Sequence, residues 1–207
     1  MRVILKPGLV ALSAETDAER EELARWSAGC ANHVFHLPVS GERGLALRDL
    51  GPREEACAEP INVVYDGDGR WRPISNLAHI PFELDGRTYA SVEAFWQGLK
   101  FPGQADRDRI ALLWGLEAKA AGWDAPAADT FVYEGASYSI GRPPHWMLMQ
   151  RACRAKFSQN VEAASALSAT GNRPLQHRVR RDSETIPGVV MAEIWMKIRR
   201  KLLAPRD

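Results

Sequence analysis

The sequence lacks the features that mark several large classes of protein. It has only three cysteines in 207 residues, Cys30, Cys57 and Cys153, and they lie far apart. That spacing excludes a disulfide framework and fits free thiols in a reducing cytoplasm. The five histidines do not cluster with the cysteines at metal-ligand spacing, so neither a metal nor another cofactor is expected. No apolar run approaches the ~20 residues that span a membrane, and the start carries no secretory pattern. There is no glycine-rich phosphate loop of the P-loop or Rossmann kind and no nucleophile elbow. Internal repeats and low-complexity segments are missing too. With a net charge of +1 the chain also lacks the basic excess that would by itself demand nucleic acid.

What is present is an ordinary globular composition, 45% hydrophobic and 26% charged. The length suits one domain with a small extension. Charge is unevenly divided: residues 1–60 sum to −3 and the rest to +4. A mildly basic main domain suits an anionic substrate such as a nucleotide. Gly51-Pro52 and Glu59-Pro60 mark a seam. It divides the chain into an appendage, residues 1–58, and a main domain, residues 59–207. In the appendage, Val3–Leu12 predicts a strand. Thr16 caps a helix through Trp26, with Glu19 completing a capping box, and His33–Pro38 predicts a second strand. Gly41 and Gly44 mark turns. The unit reads as β-α-β-like.

The main domain is organised around Ser75–Phe101. Asp85-Gly86 supplies the positive φ angles of a two-residue hairpin turn and sets Phe82, Leu84 and Tyr89 on one face. Ser91 then predicts an N-cap. In the helix that follows, Val92, Phe95, Trp96 and Leu99 share an apolar arc, while Glu93, Gln97 and Lys100 form a stripe along its edge. Pattern alone leaves two readings of that stripe open, a solvated face or a site.

Elsewhere Ile61–Tyr65 predicts a strand and Asp66-Gly67-Asp68-Gly69 a hairpin turn, since no closing glutamate makes it a calcium loop. Asp106–Leu113 and Leu116–Ala121 predict helices, and Phe131–Ile140 a hairpin about Glu134-Gly135. The helix expected over Trp146–Gln159 places Lys156 in the middle of the apolar face of Met149, Ala152, Cys153 and Phe157. Such a lysine either snorkels to water or is a desolvated amine of lowered pKa, which is nucleophilic. Arg178–Asp182 is the densest basic run, either solvated or facing an anion, with Asp182 held charged by the arginines. Pro187 favours the start of a last helix with Val190, Ile194, Ile198 and Leu202 on its core face, and its N-terminus is a candidate phosphate receptor.

Three ordered blocks resemble the NADAR family, also called YbiA-like. The first is Ser75-Asn76-Leu77 through Pro81-Phe82, Asp85-Gly86, Tyr89, Ser91-Val92-Glu93, Gln97 and Lys100-Phe101. The second is Leu148-Met149 through Ala155-Lys156-Phe157-Ser158-Gln159-Asn160. The third comprises Thr170-Gly171, Leu175 and Asp182, followed by a helix ending in Met196, Ile198 and Arg199. The likeness spans about residues 61–203. It implies an α+β fold, mainly helical with small β-hairpins, and action on N-glycosidic bonds of ribose-linked compounds. Family activities include removing ADP-ribose from modified guanine, in free nucleotides or in DNA and RNA, and cleaving intermediates of the riboflavin pathway.

Carried onto this chain, the resemblance makes Glu93, Lys156 and Asp182 catalytic. Lys156 would neutralise phosphate or form an imine with ring-opened ribose. Ser75, Asn76, Gln97 and Lys100 would bind substrate, and Trp96 or Trp146 would stack on the base. The chain departs from the family pattern at Ala94, at Thr185-Ile186-Pro187 and in the loop Gly141–His145. Those departures motivate an alternative reading, a binding module that senses ADP-ribose or a nucleotide without turnover.

Overall fold

The computed structural model describes residues 1–6, 9–30, 33–36, 48–52 and 59–204. The chain falls into two units, Met1–Ala58 and Glu59–Asp207.

In the first unit β1 (Arg2–Lys6) pairs antiparallel with β2 (Leu9–Ser13), α1 spans Asp17–Gly29, and β3 (His33–His36) pairs antiparallel with β4 (Arg48–Pro52). The expected single strand over Val3–Leu12 is therefore two paired strands, and the described residues of the unit run ββαββ. Pro7-Gly8 in the sequence is the turn signal that a single strand overlooks. The capping box is present: Thr16 Oγ1 accepts from the Glu19 amide at 3.2 Å, and Glu19 Oε2 accepts from the Thr16 amide at 3.2 Å. Leu37-Pro38, the turns at Gly41 and Gly44, and Cys57 lie outside the described residues.

The second unit is α+β, with helices around a few short strand pairs. Its strand β5 (Ile61–Asn62) pairs parallel with β10 (Leu175–Gln176). The Asp66–Gly69 stretch is not a hairpin turn. Asp68 instead caps a 3-10 helix over Gly69–Ile74 by accepting from the Arg70 amide at 2.9 Å. The hairpin β6 (Phe82–Leu84) and β7 (Arg87–Tyr89) turns through Asp85 and Gly86, both at positive φ, and stacks Phe82 on Tyr89.

Next comes α2 (Val92–Gly98), capped by Ser91, whose Oγ accepts from the Ala94 amide at 3.0 Å. Helices α3 (Gln104–Ala111) and α4 (Gly115–Ala121) follow, with a 3-10 turn over Gly122–Asp124. The hairpin β8 (Thr130–Tyr133) and β9 (Ala136–Ser139) turns through Glu134 and Gly135. Helix α5 (Pro143–Gln159) begins earlier than its apolar pattern. Pro143 and Pro144 occupy its first turn, where proline lacks no needed donor. A short helix α6 (Val161–Ser168) follows directly, and α7 (Gly188–Leu203) closes the chain.

The core runs between α2, α5 and α7. Trp195 of α7, Phe95 of α2, and Met149, Cys153 and Phe157 of α5 are all fully or almost fully buried. Every residue of α2 is buried, so the edge stripe of Glu93 and Gln97 is not a solvated face. Full burial of seven consecutive residues places this helix inside the domain, where any charged group must have a reason to be there. Among the described residues no helix is long and apolar enough to cross a membrane.

Candidate active site

A cavity of 590 Å³ opens beside the N-terminal half of α2. Five pieces of chain wall it. The turn Val64–Asp66 and the segment Ser75–Leu77 supply one side, and α2 with Lys100 supplies the floor. Leu116 and Lys119 of α4 and the loop 177–186 close the rest, with Met149 and Met191 beneath.

Glu93 sits in the first turn of α2, and its own backbone amide donates to Asn76 O at 2.9 Å, which pins the 75–77 segment to the helix start. Its carboxyl is buried. Oε1 accepts from Gln97 Nε2 at 2.7 Å, one helical turn on. Burial raises the Glu93 pKa above the ordinary carboxylate value, opposed by the Gln97 hydrogen bond and then by Lys119, Lys100 and His177. A carboxyl in that state holds its proton to higher pH than one in water, the property required of a general acid. Gln97 is itself placed by a close approach. A β-carbon at residue 122 would collide with Gln97 Oε1, so any larger residue there would move the Gln97 side chain. That oxygen has no hydrogen-bond partner among the described residues.

The cationic side of the cavity comprises Lys100, Lys119, Arg180 and Arg181. Burial lowers the Lys100 pKa, while Glu93 pulls it back up. Only Glu93, Asp66 and Asp182 oppose these cations within the lining. The arrangement suits an anionic ligand whose neutral, reacting portion lies against Glu93.

The remaining expected site residues fare differently. Ser75, Asn76, Trp96, Gln97 and Lys100 all line the cavity. Asn76 is surrounded by sulfur: its Nδ2 donates to Met191 Sδ at 3.2 Å and Met149 Sδ at 3.5 Å, and Cys153 Sγ donates to its Oδ1 at 3.7 Å. These are weak partners, which a ligand oxygen can outcompete. Trp96 stacks one face on His145 at 3.8 Å and 6°, so that face is not available to a base.

Trp146 lies outside the lining. Its Nε1 donates to Thr185 O at 2.8 Å, so it props the 177–186 loop instead of stacking on substrate. Asp182 lines the cavity, but its Oδ1 accepts from the amides of Ser183 at 2.9 Å and Gly188 at 2.8 Å. Its partners are thus backbone amides, not the arginines expected from the sequence. It also occupies the N-terminus of α7, the expected phosphate receptor.

Lys156 lies behind the Ser75 wall. It is fully buried and is not part of the cavity lining. Its Nζ donates to Ser75 O at 2.7 Å and Ile74 O at 3.3 Å. Burial brings its pKa down to about 7. The amine therefore holds the backbone of Ile74 and Ser75 from behind the 75–77 wall. Among the described residues no group of histidine, cysteine and carboxylate side chains could hold a metal.

Sequence reasoning missed Lys119 and His177. Neither lies in a patterned stripe; Lys119 reaches the cavity because α4 packs on α2, and His177 because β10 pairs with β5.

The fold so defined has a known counterpart. The chain is similar to the NMR structure of the E. coli protein YbiA, with a TM-score of 0.53 and 22% identity, covering 72% of this chain and 89% of that one. At that identity the likeness concerns the fold, which is YbiA-like. Sequence gives the family. The model of the bacteriophage protein GP30.3 family matches residues 71–197, and the chain belongs to that family. A protein of Enterobacteria phage T4, described as an uncharacterized 17.1 kDa protein in the Gp30-rIII intergenic region, is 33% identical over 109 residues. The match covers 51% of this chain and 72% of the phage protein. The family span contains every wall of the cavity except Val64–Asp66.

Proposed function

We propose that the second unit is a NADAR-type hydrolase that cleaves the N-glycosidic bond of an ADP-ribosyl or ribosyl-phosphate compound, free or attached to DNA or RNA. The observation that carries this reading is Glu93: a buried carboxyl of raised pKa, opening on a cavity whose other charged walls are mainly cationic. Cleavage of an N-glycoside develops oxocarbenium character at the anomeric carbon and needs a proton on the leaving nitrogen. Protonated Glu93 supplies that proton. Lys100, Lys119, Arg180 and Arg181 receive phosphate. Ser75 and Asn76 present polar groups to the ribose. Lys156 positions the 75–77 wall from behind, and Asp182 positions the loop that carries the arginines.

The test is incubation with three substrate classes: DNA carrying ADP-ribosylated guanine, NAD, and the pyrimidine N-glycoside intermediates of the riboflavin pathway. Release of a free base or of ADP-ribose from one of them is expected. Tight binding with no release from any of them would instead make the domain a sensor.

A further inference from the structure

We propose that His177 is the base of this site, the group that takes a proton from the attacking water through its Nε2 atom. The proposal rests on the hydrolase reading above, but its geometry stands on its own.

His177 directly follows β10 and is one of the residues that line the cavity. The ring Nδ1 lies 2.8 Å from Val63 O. A carbonyl oxygen can only accept, so Nδ1 must carry the proton, and the neutral ring presents Nε2 as an unprotonated lone pair. The placement is over-determined. Val63 N donates to Gln176 O at 2.9 Å, so the same residue that receives the ring also grips the backbone before it. Asn62 brackets the other side, its Nδ2 donating to Arg178 O at 3.1 Å and its Oδ1 accepting from Arg178 N at 2.7 Å. Trp195 meets the ring edge-on at 5.5 Å. Residue 188 must be glycine, because a β-carbon there would collide with His177 O.

His145 shows what a histidine built only for packing looks like in the same domain. It is buried against Trp96, and its Nδ1 accepts from the Gly141 amide at 3.1 Å, which leaves the proton on Nε2. It does not line the cavity. The two rings thus carry opposite tautomers, and only His177 offers a free acceptor to a ligand.

The charged groups facing the same cavity are Glu93 and Lys100 from the α2 wall, Lys119 from α4, Asp66 from its turn, and Arg180, Arg181 and Asp182 from the loop. Glu93 and His177 then divide the proton work. The bond from anomeric carbon to nitrogen breaks with its electron pair on the nitrogen, which takes the Glu93 proton. A water oxygen bonds to the anomeric carbon and gives a proton to His177 Nε2. The imidazolium then releases its proton to solvent, and the Glu93 carboxylate regains one.

His177→Asn is the discriminating variant, because the Asn amide can still donate to Val63 O while the ionisable Nε2 is gone. It should fold with an unchanged melting temperature. Turnover should fall by roughly a hundredfold, the scale of lost base catalysis. Turnover within a few fold of wild type would overturn the proposal. The tautomer is read separately, by long-range 15N NMR of the ligand-free protein, with His177 assigned from the variant. A protonated Nδ1 is expected, and a protonated Nε2 would overturn the proposal. Adding ADP-ribose should then shift the Nε2 signal. If no cavity resonance moves, the substrate reading fails while the tautomer still decides the state of His177.

Discussion

Helices α2 and α5 bury two side chains of opposite charge type, Glu93 and Lys156, and the two end in opposite surroundings. Lys156 sends its hydrogen bonds to two backbone carbonyls in a closed interior. Glu93 has one oxygen held by a neighbouring amide and borders an open cavity. A buried charge whose partners are all backbone is committed to the fold. One whose surroundings are half built and open to a cavity is available to a ligand. Burial and pKa shift alone do not separate these cases, since both groups are displaced by desolvation. The destination of the hydrogen bonds does.

The sharpest break in this comparison is expected at Glu93. Glu93→Gln keeps the bond from Gln97 Nε2 and removes the proton source. Turnover on the best substrate of the panel should fall by roughly a hundredfold or more, while the dissociation constant measured by calorimetry changes little. Equal losses in binding and turnover would instead make Glu93 a recognition group.

Lys156→Met should do the reverse. It preserves volume but leaves the carbonyls of Ile74 and Ser75 without their donor, at a cost of roughly 1–3 kcal/mol for each orphaned group. Chemical denaturation measures the loss. The pH dependence has a defined sign. The folded pKa of about 7 lies below the unfolded value, so from pH 7 upward the unfolded chain binds more protons than the folded one. Wild-type stability relative to the Met variant should therefore rise from pH 7 toward the ordinary lysine pKa. A gap that stays constant over that range would mean that the amine keeps its ordinary pKa and is solvated.

Smaller effects are expected at the cavity wall. Lys119→Ala removes one cation that faces Glu93 and should weaken binding of ADP-ribose several-fold, with a shallower salt dependence. Trp146→Phe deletes the bond to Thr185 O and part of the ring packed on the core, and should cost about 1–2 kcal/mol of stability, with turnover nearly unchanged.

Much of this arrangement was legible in the sequence, and the reasons are local. Asp85-Gly86, Ser91 and the apolar arc of α2 are signals within a few residues of each other, and the structure realises each one. The placement of Lys156 on the apolar face of α5 was equally plain. What periodicity could not say is which way that face looks. A lysine on a core stripe can meet a cavity or a backbone, and the choice depends on a segment 81 residues away. Helix α6 escaped notice because it follows α5 after one residue, with no loop to announce it. His177 was invisible for the same long-range reason: its role is set by Val63, and only the parallel pairing of β5 and β10 brings the two together.

The central claim is that Glu93 is retained for chemistry at some expense to the fold. Melting temperatures of wild type and Glu93→Gln between pH 4 and pH 8 test it most directly. The folded pKa is raised, so the folded state binds more protons than the unfolded one above the unfolded carboxylate value, and wild-type stability is lost as pH rises through the folded pKa. The account predicts that the Gln variant gains on wild type as pH rises from the unfolded carboxylate value through the folded one, and melts higher at pH 8. Parallel curves would show that folding does not raise the Glu93 pKa, and a Gln variant that melts lower at pH 8 would show that the carboxylate supports the fold; either result would contradict the account.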